Sequence, residues 1–316
     1  MKFNNTLTLL FLLLTPFVWA QENPLKIAIS NCREISDSQD RLRCYDLLNA
    51  EKTTPVVEQI DAINQPKKMP VLLADLEEPR IFSSLGRMDF LDRQFSAILM
   101  GIGTRLKLKS FEFNNKKDSI DFNFIGLIKS QFDVDELSTR NNRGGALINT
   151  DFMMGGELVK SYDFGHLRLK YTHRSTHLGD EFLIDNPEYL KERLNLSYET
   201  VDLLAYRNFD KLGGYFGVSA IVRSEPGDLK NFQLQSGLQY HGDPGEWLTP
   251  IFGLDFKSWQ ATNWQLNTSI KAGFEYTGFL DKPLQIMLEY YQGKSPYGQF
   301  INDDLDYVGL SINHYW

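Results

Sequence analysis

Residues 264–276, WQLNTSIKAGFEY, alternate without a break: Trp264, Leu266, Thr268, Ile270, Ala272, Phe274 and Tyr276 share one face of an extended chain, and Gln265, Asn267, Ser269, Lys271, Gly273 and Glu275 share the other. A period of two marks a β-strand with one dry and one wet side. The same division recurs over 120–129, 232–240, 248–257 and 284–291. Strands of soluble sheets run about five or six residues. Stretches of about ten with aromatics at their ends match tilted strands that cross a bilayer. The fold class that follows is all-β, an antiparallel transmembrane β-barrel of about twelve strands occupying residues 80–316. A mean hydropathy of -0.32 agrees, because lumen-facing polar residues offset lipid-facing apolar ones in the average.

Connection lengths orient this barrel. The joins at 161–165, 208–213, 241–246 and 277–283 are short, whereas those at 133–145, 176–192 and 292–304 are long. Alternation of this kind places tight turns on the periplasmic side and long loops outside. With a first hairpin across 88–92, both ends of the barrel fall on the periplasmic side. Val308, Leu310, Ile312, His314 and Trp316 share one face and end the chain on an aromatic. That ending resembles the C-terminal signal that outer-membrane barrels present to their insertion machinery, which is one expected partner; membrane lipid is the other.

Ahead of the barrel the character changes. Residues 1–20, with Lys2, an apolar run and Val18-Trp19-Ala20, read as a secretory signal peptide. Residues 21–50 form a small periplasmic module, in which 36–49 reads as a short helix capped by Ser36 or Asp37, with Leu42, Tyr45 and Leu48 at helical spacing. Cys32 and Cys44, the two cysteines of the chain, are expected to pair in an oxidising compartment. Residues 51–79 are mostly polar and carry Pro55, Pro66, Pro70 and Pro79, the composition of a linker. The net charge of -8 excludes the basic footprint of a nucleic-acid binder.

One strand ends unusually. In GHLRLKYTHRSTHL the face that begins Leu167, Leu169, Tyr171 continues, without changing phase, into His173, Ser175 and His177. Residues two apart on a strand are about 6.6 Å apart, so an imidazole leaning along the strand reaches a serine hydroxyl. A serine nucleophile needs such a base. The strand runs from a short turn to a long loop, which puts the pair at headgroup depth on the lipid face. His-x-Ser there, followed by an Asn on the next strand, resembles the outer-membrane phospholipase A family. The resemblance implies lipid ester hydrolysis assisted by calcium, with Ser175 as nucleophile, His173 as base, and Asn195, next to Arg193 and Leu194, orienting the histidine. The alternation of RLNLSYETV sends Leu194, Leu196 and Tyr198 to the lipid and Arg193, Asn195, Ser197 and Glu199 to the lumen, so Asn195 reaches His173 only across a bulge. In that case Arg193 or Asn195 assists after rearrangement.

HRSTHLGDEF, ERLNLSYETVDLL, LEYYQGKSPYGQF and LLADLEEPR are similar to an uncharacterised family of bacterial outer-membrane barrels known as a domain of unknown function, over residues 70–316. That resemblance implies an outer-membrane location and no particular activity. Asp180, Glu181 and Asp185, near His177, offer oxygens of the kind calcium takes. Asp151, Glu157, Arg168, Lys170, Glu199, Asp255, Lys257, Lys271, Glu275 and Glu289 are assigned to the lumen; they carry both signs and suggest a structural ion-pair network. Two functions of different class stay open: a phospholipase A-like hydrolase, and a non-catalytic structural barrel or narrow passive channel.

Overall fold

The computed structural model describes residues 32–49, 68–113, 118–135, 145–162, 164–189, 196–225, 227, 229–245, 247–277 and 283–315. Twelve strands close into one antiparallel barrel in which each strand pairs with its neighbours in sequence. They are β1 Ile81–Phe90, β2 Arg93–Phe113, β3 Asp118–Asp133, β4 Ala146–Tyr162, β5 Gly165–Leu178, β6 Ser197–Phe209, β7 Leu212–Glu225, β8 Phe232–His241, β9 Leu248–Trp259, β10 Leu266–Tyr276, β11 Leu284–Lys294 and β12 Asp304–His314. The seam is formed by β1 and β12, in register from Ile81↔His314 to Phe90↔Leu305. Trp316, the proposed end of the C-terminal signal, lies outside the described residues. Val308, Leu310 and Ile312 project outward as expected.

The wall sorts side chains by solvent. Leu85, Ile102, Leu169, Phe216, Leu238, Phe274, Leu288 and Leu310 are exposed on the outside. Arg168, Lys170, Asp255, Lys271 and Glu289, one position out of phase with such residues, are buried inside. The start of β1 and the end of β12, paired at Ile81↔His314, lie at one mouth, called here the terminal mouth; the opposite one is the far mouth. At the far mouth β1 and β2 are joined by Leu91-Asp92, both with positive φ (53° and 56°). That is the twist a two-residue hairpin requires, although neither residue is a glycine.

A finger of chain enters the lumen from the terminal mouth. Residues 69–79, read from composition as linker, run into the barrel, with Leu72, Leu73, Ala74, Asp75 and Glu78 buried. Arg80, also buried, folds the finger back on itself by donating to the carbonyls of Leu73 and Asp75 and to the Tyr315 hydroxyl. Apolar anchors hold it: Leu72 packs with Leu204, Tyr206 and Tyr215, and Leu73 with Ile251 and Met287. Its three carboxylates meet cations of the wall. Asp75 pairs with Lys257 at 2.6 Å, Glu77 pairs with Arg174 and with Lys257, and Glu78 accepts both from Arg105 and, through its two oxygens, from Arg168 Nη1 at 3.0 and 3.1 Å. The prolines that suggested a linker flank these carboxylates. What turns the segment inward is charge complementarity with strands far along the chain, which local composition does not display.

The far mouth is closed by apolar side chains. Phe300, in the 3-10 turn Gly298–Phe300, stands edge-on to Phe90 (5.1 Å, 84°) and to Phe182 (5.6 Å, 87°). Met88, Phe95, Tyr297 and Leu305 complete the cluster, and Leu76 of the finger packs against it from within.

The N-terminal unit, described by itself, contains α1 Ser38–Asn49 and the Cys32–Cys44 disulfide. The Asp37 carboxylate caps the helix, accepting from the backbone of Gln39 and Asp40. Leu42 departs from the expected apolar stripe and is exposed.

Two outcomes test this architecture. Leu169→Arg, on the outward face, should destabilise the barrel in lipid by about 2–4 kcal/mol if it lies near the bilayer centre, measured by urea unfolding in vesicles. Glu78→Gln leaves Arg168 buried without its carboxylate and should cost about 3 kcal/mol in the same assay.

Candidate functional site

β5 carries the two faces of the wall in one segment. Its even residues from His166 to Thr172, and Thr176, are buried toward the lumen, and its odd residues Leu167, Leu169 and Tyr171 are exposed toward lipid. His173 and His177 continue on the outward face, with Ser175 half-buried between them. Pairing with β6 sets Tyr171 opposite Val201, His173 opposite Glu199 and Ser175 opposite Ser197. On the other side, β4 puts Met154 beside His173 and Phe152 beside Ser175.

This register overturns the expected phase of β6. Tyr198 points into the barrel, where it packs against Trp259 and under the Arg174 guanidinium. Leu196 is buried with Ile221, Trp259 and Ile301. Glu199, expected in the lumen, is therefore on the outer wall. The sequence reading failed because the lumen near the far mouth is itself apolar, so hydrophobicity there does not mark the lipid side. The β6–β7 pairing does contain an irregularity at Glu199/Thr200, but the alternation along β6 relative to β5 is unbroken.

Glu199 gathers the polar groups of this patch. Its Oε1 lies 3.6 Å from His173 Nδ1 and 3.6 Å from Arg223 Nη1, and the Tyr171 phenol interacts with the same carboxylate. At 3.6 Å the His173 contact is a charge contact, longer than a hydrogen bond. Among the described residues no hydrogen bond joins the Ser175 hydroxyl to His173. Chemically the patch offers a hydroxyl, an imidazole and a carboxylate in a row across two neighbouring strands, with an exposed guanidinium alongside.

The other expected members distribute differently. Arg193 and Asn195 lie outside the described residues. β5 runs to Leu178, past the end at Ser175 that a loop cluster around His177 required, and His177 stands edge-on to Phe152 at 5.7 Å. Asp180, Glu181 and Asp185 sit on the short helix α2, Asp180–Asp185, which is anchored by buried Phe182. Among the described residues, no group of three acidic, histidine or cysteine side chains is arranged to hold a metal. Of the ten charged residues assigned to the luminal ion-pair network, nine belong in the lumen, Glu199 being the exception; Ser197, opposite Ser175, shares its outward phase. Sequence reasoning missed Glu199 and Arg223 at the outer patch and the carboxylates of the finger; only cross-strand register brings them together.

A closed, twelve-stranded wall with an apolar exterior and a charged interior defines an outer-membrane-type β-barrel. A family model matches residues 82–316, and the chain belongs to that family, described as "Protein of unknown function (DUF1207)". No protein of curated function matches it. Among solved structures the chain is similar to outer membrane phospholipase A from Escherichia coli, with a TM-score of 0.52 and 10% identity over 79% of this chain and 95% of that one. It is also similar to the Salmonella typhi outer membrane phospholipase, a dimer with bound calcium (TM-score 0.49, 11% identity, 80% and 95% covered), and to the KdgM porin (0.39, 9%, 73% and 98%). At such identities the likeness is one of fold.

Proposed function

We propose that the outer wall around Ser175 hydrolyses acyl esters of membrane lipids, and that Glu199 takes the orienting role expected of Asn195. The observation that carries this reading is the outward placement of Glu199 directly opposite His173. A serine is a weak nucleophile until a base takes its proton, and the base works best when a third group fixes its ring. Here Ser175 Oγ attacks the ester carbonyl while His173 accepts the hydroxyl proton. His173 then returns the proton to the departing alcohol, releasing a lysolipid. Water, activated by the same imidazole, frees the fatty acid and restores the serine. Glu199 holds the ring and stabilises the imidazolium. The Ser175–His173 contact tightens when substrate arrives, as catalytic contacts in empty sites commonly do. In this reading the barrel resides in the bacterial outer membrane with its far mouth outward, its N-terminal unit in the periplasm, and lipid and the insertion machinery as its partners.

A second reading, a non-catalytic barrel, is favoured by the missing Ser175–His173 hydrogen bond. The finger that fills the lumen argues against a freely conducting channel.

Refolded protein in mixed micelles of phosphatidylethanolamine, with and without calcium, should release fatty acid. Ser175→Ala should reduce the rate to background, and Glu199→Gln should lower kcat by about 100-fold or more, by analogy with loss of the orienting acid in a serine triad. Asn195→Ala should leave it within about twofold. Absence of release under every condition removes the hydrolase, and dependence on Asn195 with indifference to Glu199 removes the proposed role of the carboxylate.

A further inference from the structure

Among the described residues, Arg168, Arg174 and Lys257 form salt bridges only with carboxylates of the finger. All three belong to the wall, and all three are on the luminal face. The finger thus meets a set of cations that the barrel's strands do not neutralise among themselves, whereas Lys271 pairs with Glu289, Lys170 with Asp202 and Lys129 with Asp151 on the wall. Arg105 shares both worlds, pairing with Glu157 of the wall and Glu78 of the finger.

Such a lumen is complementary in charge to an acidic occupant. An apolar plug would close a barrel at least as stably, because a buried ion pair seldom outperforms apolar packing of the same volume. Charge pairing adds selectivity for the occupant and a dependence on competing ions. At the terminal mouth the finger is flanked by cavities of about 350 and 210 Å³, bordered by Pro70, Val71, Lys68 and Met69. Deeper in, around Glu77 and the far-mouth cluster, the voids shrink to about 20, 30 and 60 Å³.

We propose that Arg168, Arg174 and Lys257, with Arg105, form a docking site for an acidic peptide entering from the terminal mouth, and that residues 70–80 are its built-in, displaceable occupant. The docking cations take no part in the chemical step proposed for the outer wall. An incoming peptide with carboxylates spaced as in LADLEE takes the same cations and releases the chain's own segment into the space at the mouth.

The test uses the full chain with Ala74→Cys, a small change at a buried finger position. The native cysteines are joined in a disulfide and do not compete for label. Maleimide labelling should be slow, and should accelerate about tenfold or more on adding the synthetic peptide PVLLADLEEPR, but not PVLLANLQQPR. A second protein, Asp75→Asn/Glu77→Gln/Glu78→Gln, should bind the fluorescent acidic peptide at least about tenfold tighter than the full chain, with affinity falling steeply as salt rises. Adding Arg168→Gln and Arg174→Gln to it should abolish binding. Labelling that the acidic peptide leaves unchanged, or accelerates no more than the neutral one, overturns the proposal even if the multiple variants fail to fold. Acidic-peptide binding that ignores the arginine changes overturns it as well.

Discussion

The structure depends on one constraint: a sheet in hydrocarbon has no water to satisfy its edge, so β1 and β12 must find each other. Their seam is correspondingly tight. Gly86 and Gly309 face one another across it, and a Cβ at Gly86 would lie 2.8 Å from the Tyr307 ring. That room lets the Tyr307 hydroxyl reach Ser84 at 2.7 Å, and Ser84 in turn donates to Glu289 at 2.9 Å. Closure of the backbone and the first luminal hydrogen bonds are in this way made by the same few residues. Once the cylinder is shut, the period of two forces every second residue into an interior that must then satisfy itself.

How that interior is satisfied explains the finger. Wall cations buried without counterions would be costly, each by several kcal/mol. Part of the balance comes from neighbouring strands, as between Lys271 and Glu289. The remainder comes from a stretch with carboxylates at Asp75, Glu77 and Glu78, placed just before β1 where the chain already stands at the mouth. Arg80 then serves both parts, tying two finger carbonyls to Tyr315 at the end of the barrel.

Much of this was legible in the sequence where a rule is local. Strand count, the order of short and long connections, the helix at α1, the cysteine pair and the outward series Leu167, Leu169, Tyr171 follow from spacing alone. Two features were not. Residues 69–79 resemble a linker because proline and charge look alike whether solvated or bound to cations contributed by β2, β5 and β9. The phase of β6 is hidden because Leu196 and Tyr198 look lipid-facing by composition, yet they pack against Trp259 inside. A barrel whose far end is capped by aromatics breaks the equation of apolar with outside, and does so where the outer-wall site begins. The strand's lower half, with Leu204 and Tyr206 buried around Leu72, breaks it again at the finger.

The corrected phase changes the chemistry available on the outer wall. β5 and β6 are locked on their inner side by a ladder of matched pairs: Lys170 with Asp202, Thr172 with Thr200 at 2.9 Å, and Arg174 over Tyr198. The outer side inherits that register, so His173 and Glu199 are opposed by strand geometry and need no loop to bring them together. A histidine positioned by its cross-strand neighbour is also positioned by the inner ladder, and through Arg174 by Glu77 of the finger. The lipid-facing patch and the lumen are thus two faces of one strand pair. The inner face supplies rigidity, and the outer face presents an imidazole whose Nδ1 lies 3.6 Å from the carboxylate of its cross-strand neighbour.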